Sequence, residues 1–260
     1  MTVPALARTA PVGPEGAPLV LLGPSLGTST ILWETVVPEL AVEHRVVAWD
    51  LPGHGAAPVA RAGFTVEDLA DALAALAREL GRGPVVAAGV SLGGAVSLTL
   101  GLRHPDLLRG VAAVASGAQL GEPSGWHDRA AKVRAESTSS IIVPSAQRWF
   151  APGSMEREPG LTGRLLHALQ DADDESYALC CEALAAYDIR PRLGGIVVPV
   201  LAAWGEHDVV APEPKAAEVA TGVRDGRIAR IDGAAHLPPA EQPANTAAVL
   251  LPFLRDVTAA

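Results

Sequence analysis

The apolar positions of this chain gather in short unbroken runs, separated by stretches of helical periodicity. The runs fall at residues 19–22, 45–49, 85–90, 110–115, 198–204 and 227–231. Most are continuous rather than alternating, the pattern of strands buried on both faces of a parallel sheet. Residues 5–10 add a candidate antiparallel edge strand before the Pro/Gly turn at 11–18. Residues 66–80 read as an amphipathic helix. Val66, Leu69, Ala70, Leu73, Leu76, Ala77 and Leu80 mark its apolar face. Thr65 and Asp68 supply capping chemistry at its start, and Gly81 ends it. This alternation predicts an α/β fold, a mostly parallel sheet covered by helices.

The alternation stops between residues 121 and 190. That stretch has no buried strand run, and it carries Trp126, Trp149, Phe150 and Tyr177. Helical patterning is visible at 161–169 and 177–187. It predicts a helical cap at 121–190, inserted between core segments at 1–120 and 191–260.

Composition narrows the function class. A chain of 260 residues with 49% apolar positions buries a sizeable core. A net charge of −9, with 18 arginines and 2 lysines scattered along the chain, argues against a nucleic-acid partner. No leader pattern is evident at the N-terminus, and no apolar run reaches the ~20 residues of a bilayer span. The expected setting is therefore cytoplasmic, without a membrane partner. Adjacent Cys180 and Cys181 cannot staple distant segments, and no Cys/His cluster with ligand spacing accompanies them. They read as thiols on a helix, at least one of them buried, and no metal or cofactor is expected.

The chemistry is carried by Gly89-Val90-Ser91-Leu92-Gly93. Composition alone generates a G-x-S-x-G match about one time in eight, so the motif is weak by itself. Its context is stronger: an apolar run precedes it and a small-residue segment follows. Strand, sharp turn and helix in that order expose a serine as a nucleophile. A serine hydroxyl needs a base, and the base needs an orienting acid. Residues 198–204 lead into Gly205-Glu206-His207-Asp208, and residues 227–231 lead toward His236. Catalytic groups of open α/β sheets gather beyond the carboxyl ends of strands. Ser91, Asp208 and His236 therefore form the candidate triad, with Glu206 as the rival acid. His44, His104 and His167 read as surface or helix-end residues. The oxyanion donors expected are the backbone N–H groups of Leu92 and Leu26, with Ser25 as the alternative to Leu26; Pro24 has no N–H.

These elements together resemble the α/β-hydrolase fold. Asp50-Leu51-Pro52-Gly53-His54-Gly55 is similar to that superfamily's D-x-x-G-H-G loop, where Asp50 and His54 would stabilise the loop. Within the superfamily the chain resembles 3-oxoadipate enol-lactonases of aromatic catabolism. The resemblance lies in Pro24-Ser25-Leu26-Gly27-Thr28, in Trp126, Arg129 and Val133-Arg134, and in Arg148-Trp149-Phe150. The most specific stretch is Tyr177-Ala178-Leu179-Cys180-Cys181-Glu182-Ala183-Leu184, followed by Asp188. It implies hydrolysis of a small anionic enol-lactone to 3-oxoadipate through an acyl-enzyme. The substrate's carboxylate would meet a cap arginine, with Arg129, Arg134 and Arg148 as candidates and Trp126 and Trp149 as pocket walls. A general carboxylesterase, a carbon–carbon bond hydrolase, a cofactor-free haloperoxidase or perhydrolase, and a ligand receptor on the same fold are the alternatives. The sequence sets no oligomeric state.

Overall fold

The computed structural model describes residues 4–81 and 83–259, and among them the apolar runs pair into one sheet. Its strands are β1 (Ala7–Arg8), β2 (Leu19–Gly23), β3 (Arg45–Asp50), β4 (Val85–Val90), β5 (Leu108–Val114), β6 (Val200–Gly205) and β7 (Gly226–Ile231). Their order across the sheet is β1-β3-β2-β4-β5-β6-β7. β1 pairs antiparallel with β3, and the other neighbours are parallel. Every residue of β2 and β4 is buried, as unbroken apolar runs require of strands covered on both faces. β7 lies at the edge, and its residues alternate between exposed and half-buried until Ile231.

Most strand ends lie one or two residues from the sequence reading, and three of the departures have a local reason. The edge strand at 5–10 contracts to Ala7–Arg8, which pairs with Asp50 and Trp49 between the flanking prolines Pro4 and Pro11. The run at 198–204 joins the sheet only at Val200. Pro199 ahead of it has no N–H to donate, and it contributes its carbonyl to Val111 N at 2.9 Å. Ala115 drops out of β5 because it turns away with φ +46°.

The helix Val66–Leu80 has both of its predicted ends. Asp68 N–H donates to Thr65 Oγ1 at 3.1 Å, and Thr65 N–H donates to Asp68 Oδ2 at 2.9 Å. Such a reciprocal cap satisfies two donors the helix cannot satisfy itself. Gly81 closes it at φ +67°.

Between β5 and β6 the chain forms the helices Pro123–Glu136, Ile142–Trp149, Ser154–Arg157, Pro159–Asp171 and Asp174–Ala185. Pro123–Glu136 and Asp174–Ala185 pack together. Arg134 bridges them, with Nε and Nη2 donating to Glu175 at 2.8 and 2.7 Å and Nη1 donating to Glu182. These exposed charges contribute only about 0–1 kcal/mol per pair, so buried Ala130, Val133, Tyr177 and Cys181 supply most of the cohesion. Leu169, Trp149 and Tyr177 crowd Gly27, which follows β2 at φ +82°. The helical insertion is thereby seated over the loop at the carboxyl end of β2.

Candidate active site

Ser91 follows β4 directly and precedes the helix Leu92–Arg103. Its backbone sits at φ +54° and ψ −115°, a region that costs a side-chain-bearing residue about 1–3 kcal/mol. The neighbours hold it there. Ser91 N–H donates to Val114 O at 3.0 Å, and Ser116 Oγ donates to Ser91 O at 2.7 Å. The glycines are required by space. A Cβ on Gly89 would fall inside the backbone of Gly93, and one on Gly93 would lie 2.6 Å from Gly23 C and Pro24 O. Backbone cannot step aside as a flexible side chain can. Gly89→Ala and Gly93→Ala are therefore expected to destabilise by at least about 1–3 kcal/mol, read as a lower denaturant midpoint.

The predicted acid and base meet. His236 Nδ1 lies 3.0 Å from Asp208 Oδ2 and 3.2 Å from Oδ1. Asp208 Oδ1 also accepts the N–H groups of Val210 at 2.7 Å and Ala211 at 3.1 Å. Burial pushes the Asp208 pKa up, but the His236 charge, its hydrogen bond and the two backbone donors together hold it below the ordinary carboxylate value. The backbone N–H of His236 donates to Trp149 O at 3.1 Å, so the helix Ile142–Trp149 contacts the His236 backbone. Among the described residues no hydrogen bond joins Ser91 Oγ to His236; both are buried, beyond the carboxyl ends of β4 and β7. Such bonds commonly tighten only when substrate binds. Glu206, the rival acid, turns elsewhere and accepts Gly233 N–H at 2.9 Å.

Leu92 is the first residue of its helix, so its N–H has no partner within that helix. Leu26 lies in the loop after β2, which is tied to the serine turn by Gly93 N–H donating to Pro24 O at 3.0 Å. Leu92 and Leu26 are both buried, and neither N–H is paired among the described residues.

The predicted pocket residues separate into two groups. Trp126, Arg129 and Arg148 line a cavity of about 290 Å³ together with Glu122 and with Val209 and Val210, the residues after Asp208. Ser91 is not on its lining. Arg129 Nη2 donates to Ser145 Oγ at 2.8 Å, and its guanidinium lies 6.0 Å from the Trp126 ring centre and 5.7 Å from that of Tyr177. Its Nε is buried and unpaired among the described residues. Arg148 stays accessible at the rim, yet desolvation and the neighbouring Arg129 charge lower its pKa. No carboxylate among the described residues pairs with either arginine. Arg134 does not join them, being held by Glu175 and Glu182. Trp149 does not line the cavity either; it is buried edge-on against Phe150 and abuts Gly27.

A family model described as the alpha/beta hydrolase fold matches residues 18–243. The chain belongs to that family. It is 32% identical over 198 residues to 3-oxoadipate enol-lactonase 2 of Acinetobacter baylyi, covering 76% of this chain and 74% of the relative. With 3-oxoadipate enol-lactonase 1 of the same organism it shares 28% over 245 residues, covering 94% and 91%. The solved enol-lactonase of Burkholderia xenovorans LB400 superposes with a TM-score of 0.91 at 32% identity, covering 96% of each chain. A thermophilic esterase of Thermogutta terrifontis, solved with malate bound, gives 0.90 at 27% identity, covering 97% and 94%. The chain is a hydrolase.

Other residues of the α/β-hydrolase have structural work. Asp50 accepts Thr30 N–H at 2.7 Å and Ala56 N–H at 3.1 Å, binding two loops together. His54 donates from Nδ1 to Pro52 O at 2.9 Å and stacks on Tyr177. Burial drops its pKa to about 4, so it stays neutral near pH 7. His44 is a correction: it is buried, 2% exposed, rather than on the surface. Both cysteines are buried, and burial pushes the Cys181 thiol up to about 12. Among the described residues no helix is long and apolar enough to cross a membrane. Sequence reasoning missed Ser116, Ser145 and Glu241. None belongs to a motif, and each acts through a hydrogen bond between segments separated along the chain.

Proposed function

We propose that this hydrolase opens 3-oxoadipate enol-lactone, a small anionic lactone, through an acyl-enzyme on Ser91. Ser91 Oγ attacks the ring carbonyl while His236 takes its proton. The Leu26 and Leu92 N–H groups hold the tetrahedral oxyanion, and Asp208 fixes the imidazole and stabilises its charged form. Collapse breaks the ring ester bond and leaves an enolate tethered within the acyl group, which takes up the proton held by His236 and becomes the ketone. His236 then activates water, which cleaves the acyl-enzyme and frees 3-oxoadipate and Ser91.

The observation that carries this reading is the pair Arg129 and Arg148. They face one cavity beside the Asp208 loop, without a carboxylate partner among the described residues. Glu122 lines the same cavity but forms no ion pair with either arginine among the described residues. Two neighbouring guanidiniums without an ion-pair partner are a site for an anion, and a planar fork suits a carboxylate. At about 290 Å³ the cavity is near the lower end of ligand pockets, roughly 300–1,000 Å³, which favours a small substrate. The likeness to two enol-lactonases and to a solved one supports the same substrate class.

The test is turnover of the enol-lactone against a neutral p-nitrophenyl ester. A kcat/KM for the ester far above that for the lactone would overturn the proposal and favour a general esterase, the reading supported by likeness to the Thermogutta enzyme. Arg129→Ala and Arg148→Ala are each expected to raise KM for the lactone about tenfold or more, since hydrogen bonds to charged groups contribute ~1.5–3 kcal/mol. KM for the neutral ester should move little. Equal effects on both substrates would remove the carboxylate-binding role.

A further inference from the structure

Glu241 ends the one-turn helix Pro238–Glu241, shortly after His236, and its side chain is buried. Its two oxygens face two different parts of the molecule. Oε1 accepts the N–H groups of Ala235 at 2.9 Å and Leu237 at 3.2 Å, the residues on either side of His236. Oε2 accepts Ala151 N–H at 2.6 Å and Ser154 Oγ–H at 2.9 Å, both just beyond the helix Ile142–Trp149. Arg157 Nη2 donates to the same Ser154 Oγ at 2.9 Å, which leaves the Ser154 proton for Glu241. The carboxylate therefore meets four donors and no acceptor. The same two segments touch once more, where the backbone N–H of His236 reaches Trp149 O.

We infer that Glu241 is a positioning residue, clamping the backbone on both sides of His236 to the end of the helix that carries Arg148 and Trp149. The imidazole is then aligned only while the helical insertion is seated. The requirement is for an anion with two acceptor oxygens, not for bulk. A carboxamide of the same shape turns its NH₂ toward donors on one side or the other, and a buried donor left unpaired costs about 1–3 kcal/mol. Burial raises the Glu241 pKa while the four donors lower it, with burial the larger, which marks how far this group is from water. The inference rests on the reading of His236 as general base.

The experiment compares Glu241→Gln, Ser154→Ala and Ser91→Ala in the full chain, with p-nitrophenyl acetate as substrate. Folded E241Q is expected to lose about 10–100-fold in kcat, the scale of a misplaced catalytic group, with KM within about twofold. The downfield proton resonance of the His236–Asp208 hydrogen bond should shift. S154A should move both readouts in the same direction by less. Wild-type kcat with an unmoved resonance in E241Q would overturn the inference, as would a loss that disappears at temperatures where the variant is fully folded. If E241Q does not fold, S154A decides: unchanged kcat and resonance would overturn the clamp. Retained turnover in S91A would instead overturn the acyl-enzyme reading, leaving the two failures distinguishable.

Discussion

Ser91→Ala is expected to lower kcat/KM for any ester or lactone by several orders of magnitude, about 10⁴–10⁶-fold, the scale seen when a hydrolase loses its nucleophile. The substitution deletes Oγ and little else. Alanine keeps the Cβ, so the φ of +54° is no easier or harder to hold, and stability should stay within about 0.5 kcal/mol. No neighbouring group can take over. Ser116 Oγ is committed to Ser91 O at 2.7 Å. Cys180 and Cys181 are buried, and burial raises the pKa of both thiols away from the reactive thiolate. The residual rate would come from the N–H donors and the pocket. Two measurements check this: steady-state rates at matched folded fraction, and the mass shift on reaction with a fluorophosphonate, expected in the wild type and absent in the variant. A variant within about a hundredfold of wild type would refute Ser91 as the nucleophile.

Much of this arrangement was legible in the sequence because it depends on local order. Continuous apolar runs announced β2 to β6, and their carboxyl ends gave the positions of Ser91 and Asp208. The Asp208–His236 bond followed from chain order within the fold, and it is present at 3.0 Å. What the sequence hid depends on long-range pairing. Three arginines of the segment 121–190 read alike, yet Arg134 meets Glu175 and Glu182 while Arg129 and Arg148 meet no carboxylate among the described residues. Which carboxylates face which arginines is set by how Pro123–Glu136 lies along Asp174–Ala185, and no periodicity in either helix encodes that. Burial of His44 and Glu241 was hidden for the same reason. A polar residue enters the core when distant backbone donors or packing accept it, and those partners are invisible along the chain.

Asp208→Asn is expected to lower kcat about 10⁴-fold with a smaller change in KM, because it inverts a hydrogen bond rather than removing a side chain. On the proposed mechanism Asp208 accepts from His236 Nδ1, and Nε2 is the nitrogen that takes the Ser91 proton. Asparagine can satisfy Val210 and Ala211 N–H with its carbonyl, as Asp208 Oδ1 does at 2.7 and 3.1 Å. Its NH₂ then faces Nδ1 and donates, so the imidazole must carry its proton on Nε2, where it blocks the base. Packing is nearly unchanged, so the loss should appear with a folded protein and an intact cavity. The acid limb of stability offers a second reading of the same residue. The Asp208 pKa is held below its ordinary 3.8, so its stabilising contribution is complete above that pH and is lost as pH falls through the lowered value. The variant should lack that part of the acid-induced destabilisation, measured by denaturant midpoints across pH 2–5. Glu206→Gln is the decisive companion. Glu206 is partly exposed and binds Gly233 N–H, so its loss should leave kcat within a few-fold. If E206Q were crippled and D208N were not, the orienting acid would be Glu206, and the bond seen between Asp208 and His236 would belong to a resting arrangement rather than to the reacting one.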